Sequence, residues 1–161
     1  MSFLPNCFSH NRRKFAARDN RPIVFINSRL RNCNTIVQKV IPQARAFILG
    51  WSLDGVTEIT RILKPTHCRE VYIITDGFPG CLYLGSSELS INTLIQYASE
   101  LEGWFKYEDS NAYLNSPQLF LYNCNVAAGD VGEEFISKLN QITTAEVSAS
   151  ANIDNNILLN S

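Results

Sequence analysis

The chain has 161 residues, 45% of them hydrophobic and 18% charged, a composition that suits a folded globular domain and excludes disorder for most of the chain. Fourteen basic residues against fifteen acidic residues give a net charge of −1, which argues against nucleic-acid binding. No apolar run approaches the roughly 20 residues that a membrane-spanning helix needs. Because domains cluster at roughly 100 to 200 residues, we expect one domain without a membrane span.

The N-terminal segment, residues 1–20, is polar and basic without hydrophobic periodicity, and we interpret it as an arm. Arg12-Arg13-Lys14 resembles the start of a twin-arginine export signal, but the apolar stretch that such a signal requires does not follow it. We therefore expect the arm to contribute little to the core and to be available for contact with a partner.

The number and spacing of the cysteines indicate whether the cellular compartment is reducing or oxidising. The five cysteines form no Cys-x-x-Cys pair and have no histidine at zinc-finger spacing. They are Cys7, Cys33, Cys68, Cys81 and Cys124. An odd number without a pairing pattern favours a reducing compartment over a disulfide scaffold. With no cleavable signal peptide, the sequence predicts a cytoplasmic location.

Short apolar runs alternate along the chain with segments whose apolar residues recur at helical spacing. The apolar runs predict strands at 23–26, 46–49, 71–75, 119–122 and 146–149. The helical spacing predicts helices through Ile36–Ile41, Val56–Leu63, Ile91–Leu101 and Phe135–Ile142. We expect Ser90 to cap the third helix and Asp130 with Glu133 to form a capping box for the fourth. A small β-excursion is expected at 81–89, between the third strand and the third helix.

Strands that alternate with helices form right-handed crossovers, so this pattern predicts an α/β fold with a mostly parallel sheet of about five strands. Helices are expected on both faces of the sheet, which makes a three-layer αβα sandwich. We assign residues 21–152 to this domain. Residues 153–161 are expected to form a C-terminal tail whose only apolar anchor is Ile157-Leu158-Leu159.

Sites in such folds gather at the carboxyl ends of the strands, near a switch in strand order. There the third strand leads into Asp76-Gly77, and the fourth leads into Cys124. No Gly-rich phosphate loop follows the first strand, and Asp54, Asp76 and Cys124 come from separate loops. We therefore expect the site at these two strand ends, with no cofactor and no metal.

Four stretches of the sequence resemble family 4347 of the domains of unknown function. They are VYIITDGFPG at 71–80, LYLGSSEL at 82–89, LFLYNCNVAAG at 119–129 and GEEFISKL at 132–139. The resemblance covers residues 22–152, and the stretch NCNVAAG is its most specific part. It implies a bacterial domain, common in cyanobacteria, that often stands at the start of very large secreted proteins built from cadherin-like or calcium-binding repeats.

That family is similar in turn to the caspase-haemoglobinase class of cysteine peptidases, in which one strand ends in His-Gly and the next in the nucleophilic Cys. The resemblance implies that Cys124 occupies the nucleophile position, whereas Asp76-Gly77 stands where His-Gly is expected. An imidazole activates such a thiol by accepting its proton, while a carboxylate opposes a second negative charge. Of the two histidines, His67 precedes the third strand at the opposite end of the sheet, and nothing positions His10.

Non-catalytic interpretations of Cys124 and of Asp76-Gly77 are also open. Cys124 can be a small buried hydrophobe that follows a core strand. Asp76-Gly77 can be turn chemistry, in which Gly77 takes a positive φ.

Three functional hypotheses follow from the sequence. The first is a catalytically inactive, caspase-like domain that binds protein partners in a larger assembly, in a cyanobacterial source. The second is a cysteine peptidase or acyl-transfer enzyme that uses Cys124 with an unrecognised base. A small-ligand or nucleotide site at the strand ends is a weaker third hypothesis, because the phosphate-binding loop is missing.

Overall fold

The computed structural model describes residues 19–106, 116–153 and 156–159. In chain order the elements are β1 (Ile23–Asn27), α1 (Cys33–Lys39), β2 (Arg45–Leu49), α2 (Gly55–Leu63), β3 (Glu70–Ile74), β4 (Gly77–Phe78), β5 (Cys81–Leu84), β6 (Ser87–Ser90), α3 (Ala98–Gly103), β7 (Gln118–Tyr122), α4 (Gly129–Thr143) and β8 (Glu146–Ser150). The N-terminal arm expected at 1–20 lies almost entirely outside the described residues.

Five of these strands form one parallel sheet in the order β2-β1-β3-β7-β8. All five residues of β1 are buried, as a parallel strand covered on both faces requires. The predicted α/β fold with a five-stranded parallel sheet is confirmed. Strands β2 and β3 lie on opposite sides of β1, so the strand order reverses between β1 and β3. In sheets of this kind, binding sites form at the carboxyl ends of the strands beside such a switch point, which here are β1 and β3.

The helices pack on both faces of the sheet, in agreement with a three-layer sandwich. Helices α2, α3 and α4 bury residues such as Val56, Leu101 and Phe135 in the larger core on one face. Helix α1 buries Ile36 in a smaller core on the other face. No helix within the described residues is long and apolar enough to cross a membrane.

A second, three-stranded antiparallel sheet follows β3, in the order β4-β5-β6. It confirms the β-excursion expected at 81–89. Its residues Leu82, Leu84 and Leu89 join the larger core, so this small sheet covers the carboxyl end of the main sheet on the same face as α2. The excursion is therefore part of the scaffold of the candidate site.

Two expected helix starts are wrong. Ser90 is the last residue of β6 and does not cap a helix; its backbone N–H donates to Oγ1 of Thr93, and the helix itself begins only at Ala98. Helix α4 begins at Gly129 with Ala128 as its N-cap and no side-chain cap. Asp130 lies in the first turn, where its carboxylate faces the positive end of the helix dipole without forming a capping box.

The C-terminal tail is held by the anchor expected from the sequence. Ile157 is buried in the smaller core, its carbonyl accepts a hydrogen bond of 3.1 Å from the N–H of Ile41, and Leu158 forms a β-bridge with Val40. The tail thereby covers the end of α1 at the amino edge of the sheet, away from the carboxyl ends that carry the candidate site.

Candidate functional site

The candidate site begins where β3 and β7 end side by side. Ile74 and Tyr122 are partners in the parallel register, and the N–H of Thr75 donates to the carbonyl of Tyr122 at 3.2 Å. One residue further on, Nδ2 of Asn123 lies 3.4 Å from Oδ1 of Asp76. The structure thus brings the two predicted segments together at one edge, as the parallel topology required.

Gly77 is packed tightly between the two segments. A Cβ atom on Gly77 would lie 2.5 Å from the carbonyl oxygen of Cys81 and 3.4 Å from Cβ of Cys124. Its φ is not positive, so the turn conformation suggested for it is wrong. Glycine is required here because the backbone of β5 leaves no space for a side chain.

The thiol of Cys124 is held in the interior. Only 5% of the residue is exposed, it belongs to the larger core, and its N–H donates to the carbonyl of Ser150 at the end of β8. Burial raises the pKa of the Cys124 thiol, a hydrogen bond from the backbone of Val126 lowers it, and the negative charge of Asp76 raises it. The net result is a raised pKa, so the thiol is protonated and poorly accessible at neutral pH.

No imidazole of the described residues reaches this thiol. His67 lies in the loop that precedes β3, whereas Cys124 follows the carboxyl end of β7, which runs parallel beside β3. The full length of a strand therefore separates the two residues, as expected from the sequence. His10 lies outside the described residues. Asp76 itself is exposed and stands beside Asn123.

A buried polar pair lies beneath the site, and the sequence reasoning missed it. Nδ2 of Asn27, at the end of β1, donates to Oγ1 of Thr75 at 2.9 Å and to the carbonyl of Tyr83 at 3.0 Å. Oγ1 of Thr75 also donates to that carbonyl. These bonds fasten β5 across the ends of β1 and β3. The available signal was an asparagine that directly follows four buried apolar residues of a central strand.

Asn27 offers a test of this pair. The residue is 1% exposed, and its Oδ1 has no hydrogen-bond partner among the described residues. In Asn27→Asp, burial disfavours the ionised carboxyl and raises its pKa above the unfolded value of about 3.9. We expect a loss of roughly 3 kcal/mol at pH 7, and a smaller loss at pH 4, since the raised folded-state pKa makes the penalty grow as pH rises.

Urea unfolding at pH 4 and pH 7 measures this effect. Asn125→Asp is the matched control, because Asn125 is exposed in the loop after β7, and we expect a change within about 0.5 kcal/mol. An equal loss in Asn27→Asp at both pH values would show that burial of the charge is not the cause.

The chain contains no cluster of three or more histidine, cysteine or acidic residues at metal-binding distance within the described ranges. Asp54, which the sequence analysis considered as a metal ligand together with Asp76 and Cys124, has a different role. Asp54 caps α2 by accepting from the N–H groups of Val56 and Thr57, and its second oxygen accepts from the hydroxyl of Tyr97. Asp54 is therefore a structural residue of the α2 N-terminus.

Comparison with known proteins identifies the family. The profile of the family described as domain of unknown function DUF4347 matches residues 23–157. Because this match covers most of the chain, the protein belongs to that family. No curated protein and no solved structure matches the chain. The family description names no activity, so a function has to be argued from the residues of the site.

Proposed function

We propose that the protein is a catalytically inactive, caspase-like domain that binds protein partners within a larger assembly, in a cyanobacterial source. The observation that carries this proposal is the environment of Cys124. Its thiol is buried beside the carboxylate of Asp76, at the strand end where a catalytic pair would need an imidazole.

Nucleophilic catalysis by cysteine needs a thiolate that a substrate can reach. Burial opposes both requirements, because it removes access and disfavours the charged form of the thiol. Asp76 adds a negative charge where a positive one would help. The backbones of β4 and β5 also pack closely beside Cys124, because a Cβ atom on Gly77 would lie 2.5 Å from the carbonyl oxygen of Cys81.

A binding role is supported by the outer rim of the same edge. Several large apolar side chains are exposed there, among them Trp51 and Phe78, and such exposure on a folded domain marks an interaction surface. Cys33, Cys81 and Cys124 are free thiols, which supports a reducing, cytoplasmic compartment for the interaction.

The alternative function is a cysteine peptidase or acyl-transfer enzyme with Cys124 as nucleophile. The favouring observation is topological, since Cys124 follows the strand next to the one that ends in Asp76-Gly77, as the resemblance to peptidases requires. This alternative needs a base from outside the described residues and an opening of the packing around Gly77.

The test compares the native chain with Cys124→Ala in two measurements. In the first, each protein is incubated with a peptide library, and mass spectrometry detects cleaved products. We expect no cleavage that depends on Cys124. In the second, cross-linking in the native cells identifies bound proteins. We expect the same partners for the native chain and Cys124→Ala, and their loss with Phe78→Asp, which places a charge on the exposed rim.

Peptide cleavage by the native chain that disappears in Cys124→Ala would contradict the proposal and establish the enzyme. Absence of any partner sensitive to Phe78→Asp would contradict the binding role.

A further inference from the structure

The carboxyl edge of the sheet concentrates exposed apolar side chains. Seven large hydrophobic residues of the described chain are exposed, and four of them lie at this edge. They are Trp51 (67% exposed), Leu53 (50%), Phe78 (48%) and Val131 (53%). They come from the β2–α2 loop, from β4 and from the first turn of α4, so three separate chain segments expose apolar surface at the carboxyl edge.

These side chains stand on well-fixed backbone. The carbonyl of Leu53 accepts a 2.7 Å hydrogen bond from the N–H of Ser86, and the residue after it caps α2. The ring of Phe78 lies 5.8 Å from the ring of Tyr83, and Val131 packs against the turn at Gly80. Because local hydrogen bonds and packing hold these segments in place, the exposure is a property of the folded surface and not of a fraying loop.

Charge divides this edge into two halves. The basic half contains Arg29 and Arg31, which are exposed in the turn after β1. That turn touches the end of β2, because the N–H of Ser28 donates to the carbonyl of Leu49 at 3.0 Å. The two arginines therefore lie on the same side of the edge as Trp51.

The acidic half lies on the other side of the switch in strand order. Asp76, Glu88, Asp130 and Glu133 are all exposed there, around Phe78 and Val131. Glu88 belongs to this half because it pairs with Tyr83 across β5 and β6, and the ring of Tyr83 contacts Phe78. Asp54, the acidic residue nearest to Trp51 in the sequence, faces the positive end of α2 as its N-cap.

We infer that this edge is a self-complementary interface that binds a second copy of the chain. A two-fold axis near the end of β3 would place the basic half of one copy, with Trp51, against the acidic half of the other, with Phe78. In such an isologous contact each favourable pairing occurs twice. This inference rests on the proposed binding function. It assigns the binding surface to the carboxyl edge and identifies the partner as a second copy of the chain.

The mixed charge selects a second copy over other partners. The acidic half would repel nucleic acid, anionic lipid and a uniformly acidic protein, and the basic half would repel a uniformly basic protein. A copy of the same edge satisfies both halves at once. Tryptophan and arginine, which the basic half combines, are also the residues most enriched among the strong contacts of protein interfaces.

The experiment is sedimentation equilibrium on the full chain between about 1 and 500 μM. Electrostatic complementarity predicts a dimer whose Kd rises at least about tenfold between 50 mM and 500 mM NaCl. We expect Trp51→Asp to weaken the dimer at least about tenfold, since it removes the largest apolar contact and adds charge to the interface.

Charge reversal provides the sharper test. Arg29→Glu with Arg31→Glu makes both halves acidic. Glu88→Lys with Asp130→Lys and Glu133→Lys gives the acidic half a net positive charge, with Asp76 left unchanged. Each charge-reversed variant is expected to be monomeric alone, and an equimolar mixture of the two is expected to form a heterodimer, because both contacts are then attractive again. Lys64→Glu, an exposed charge reversal at the far end of α2, is the control and should dimerise like the native chain.

A native chain that stays monomeric at 500 μM, or a mixture of the two charge-reversed variants that stays monomeric while each is folded by circular dichroism, would overturn the inference. Partners found by cross-linking and sensitive to Phe78→Asp would still support the binding function in that case. Cleavage dependent on Cys124 would instead remove the proposed function itself.

Discussion

At pH 7, Cys124 of the folded chain is expected to react with iodoacetamide at least about a hundredfold more slowly than the same cysteine in the urea-unfolded chain. Two causes combine, because burial leaves 5% of the residue exposed and also raises the pKa of its thiol. The raised pKa means that the thiolate fraction at pH 7 is lower than in the unfolded chain, and that labelling accelerates only as pH rises well above neutrality. Mass spectrometry of the Cys124 peptide measures the rate.

Replacement of Asp76 separates charge from burial. Asp76→His should lower the pKa of Cys124 and speed labelling, since it removes a negative charge and introduces an imidazole that can become positive. Asp76→Asn is the matched control, because it removes the negative charge alone and should give a smaller increase. Burial is the largest cause of the raised pKa, so both variants should stay well below the unfolded rate. Fast labelling of the native thiol near pH 6 would contradict the inactive site.

The sequence predicted the sheet well because its signals are local and mutually consistent. The run Ile23–Ile26 is continuously apolar, which is typical of a strand buried on both faces of a parallel sheet. Each helix that follows has its apolar residues on one side, so strand and helix patterns support the same layered fold. Because the predicted strands are parallel, the sequence also predicted that Asp76 and Cys124 lie at one edge of the sheet.

Errors arose where tertiary contacts override local pattern. Ile91, Leu94 and Ile95 have helical spacing, but Thr93 bonds the backbone of Glu88 and Ser90 at the end of β6, and the chain continues in turns until α3. The reason for glycine at position 77 is likewise a packing contact, with the carbonyl oxygen of Cys81 in the neighbouring strand β5, and not the backbone angle of a turn.

The parts of the site that sequence reasoning missed are set by pairing between distant segments. Asn27 and Thr75 lie 48 positions apart and meet only because β1 and β3 are neighbours in the sheet. The charge halves of the carboxyl edge depend in the same way on which loop stands beside which. A parallel sheet already places Arg29 and Asp130 at the same edge, but only the strand order shows that they lie in different halves of it.

The second large effect is expected for Gly85→Ala. Gly85 adopts a φ of +60°, and a Cβ there would lie 2.2 Å from the carbonyl oxygen of Leu53 and 2.8 Å from that of Gly50. The variant must therefore accept a left-handed backbone and also push the β2–α2 loop away. We expect a loss of about 4 kcal/mol or more, seen as a drop in Tm of about 10 °C or more for a chain of this size.

Gly129→Ala isolates the steric part of this loss. Gly129 has a similar φ of +68°, but no atom lies within 4 Å of the position of its Cβ. Its alanine variant carries only the backbone penalty, about 1 to 2 kcal/mol. Thermal unfolding followed by circular dichroism should thus show a drop in Tm at least twice as large for Gly85→Ala. Equal drops would mean that the β2–α2 loop yields freely, in which case the exposed Trp51 and Leu53 would not stand on the rigid backbone that the carboxyl-edge interface requires.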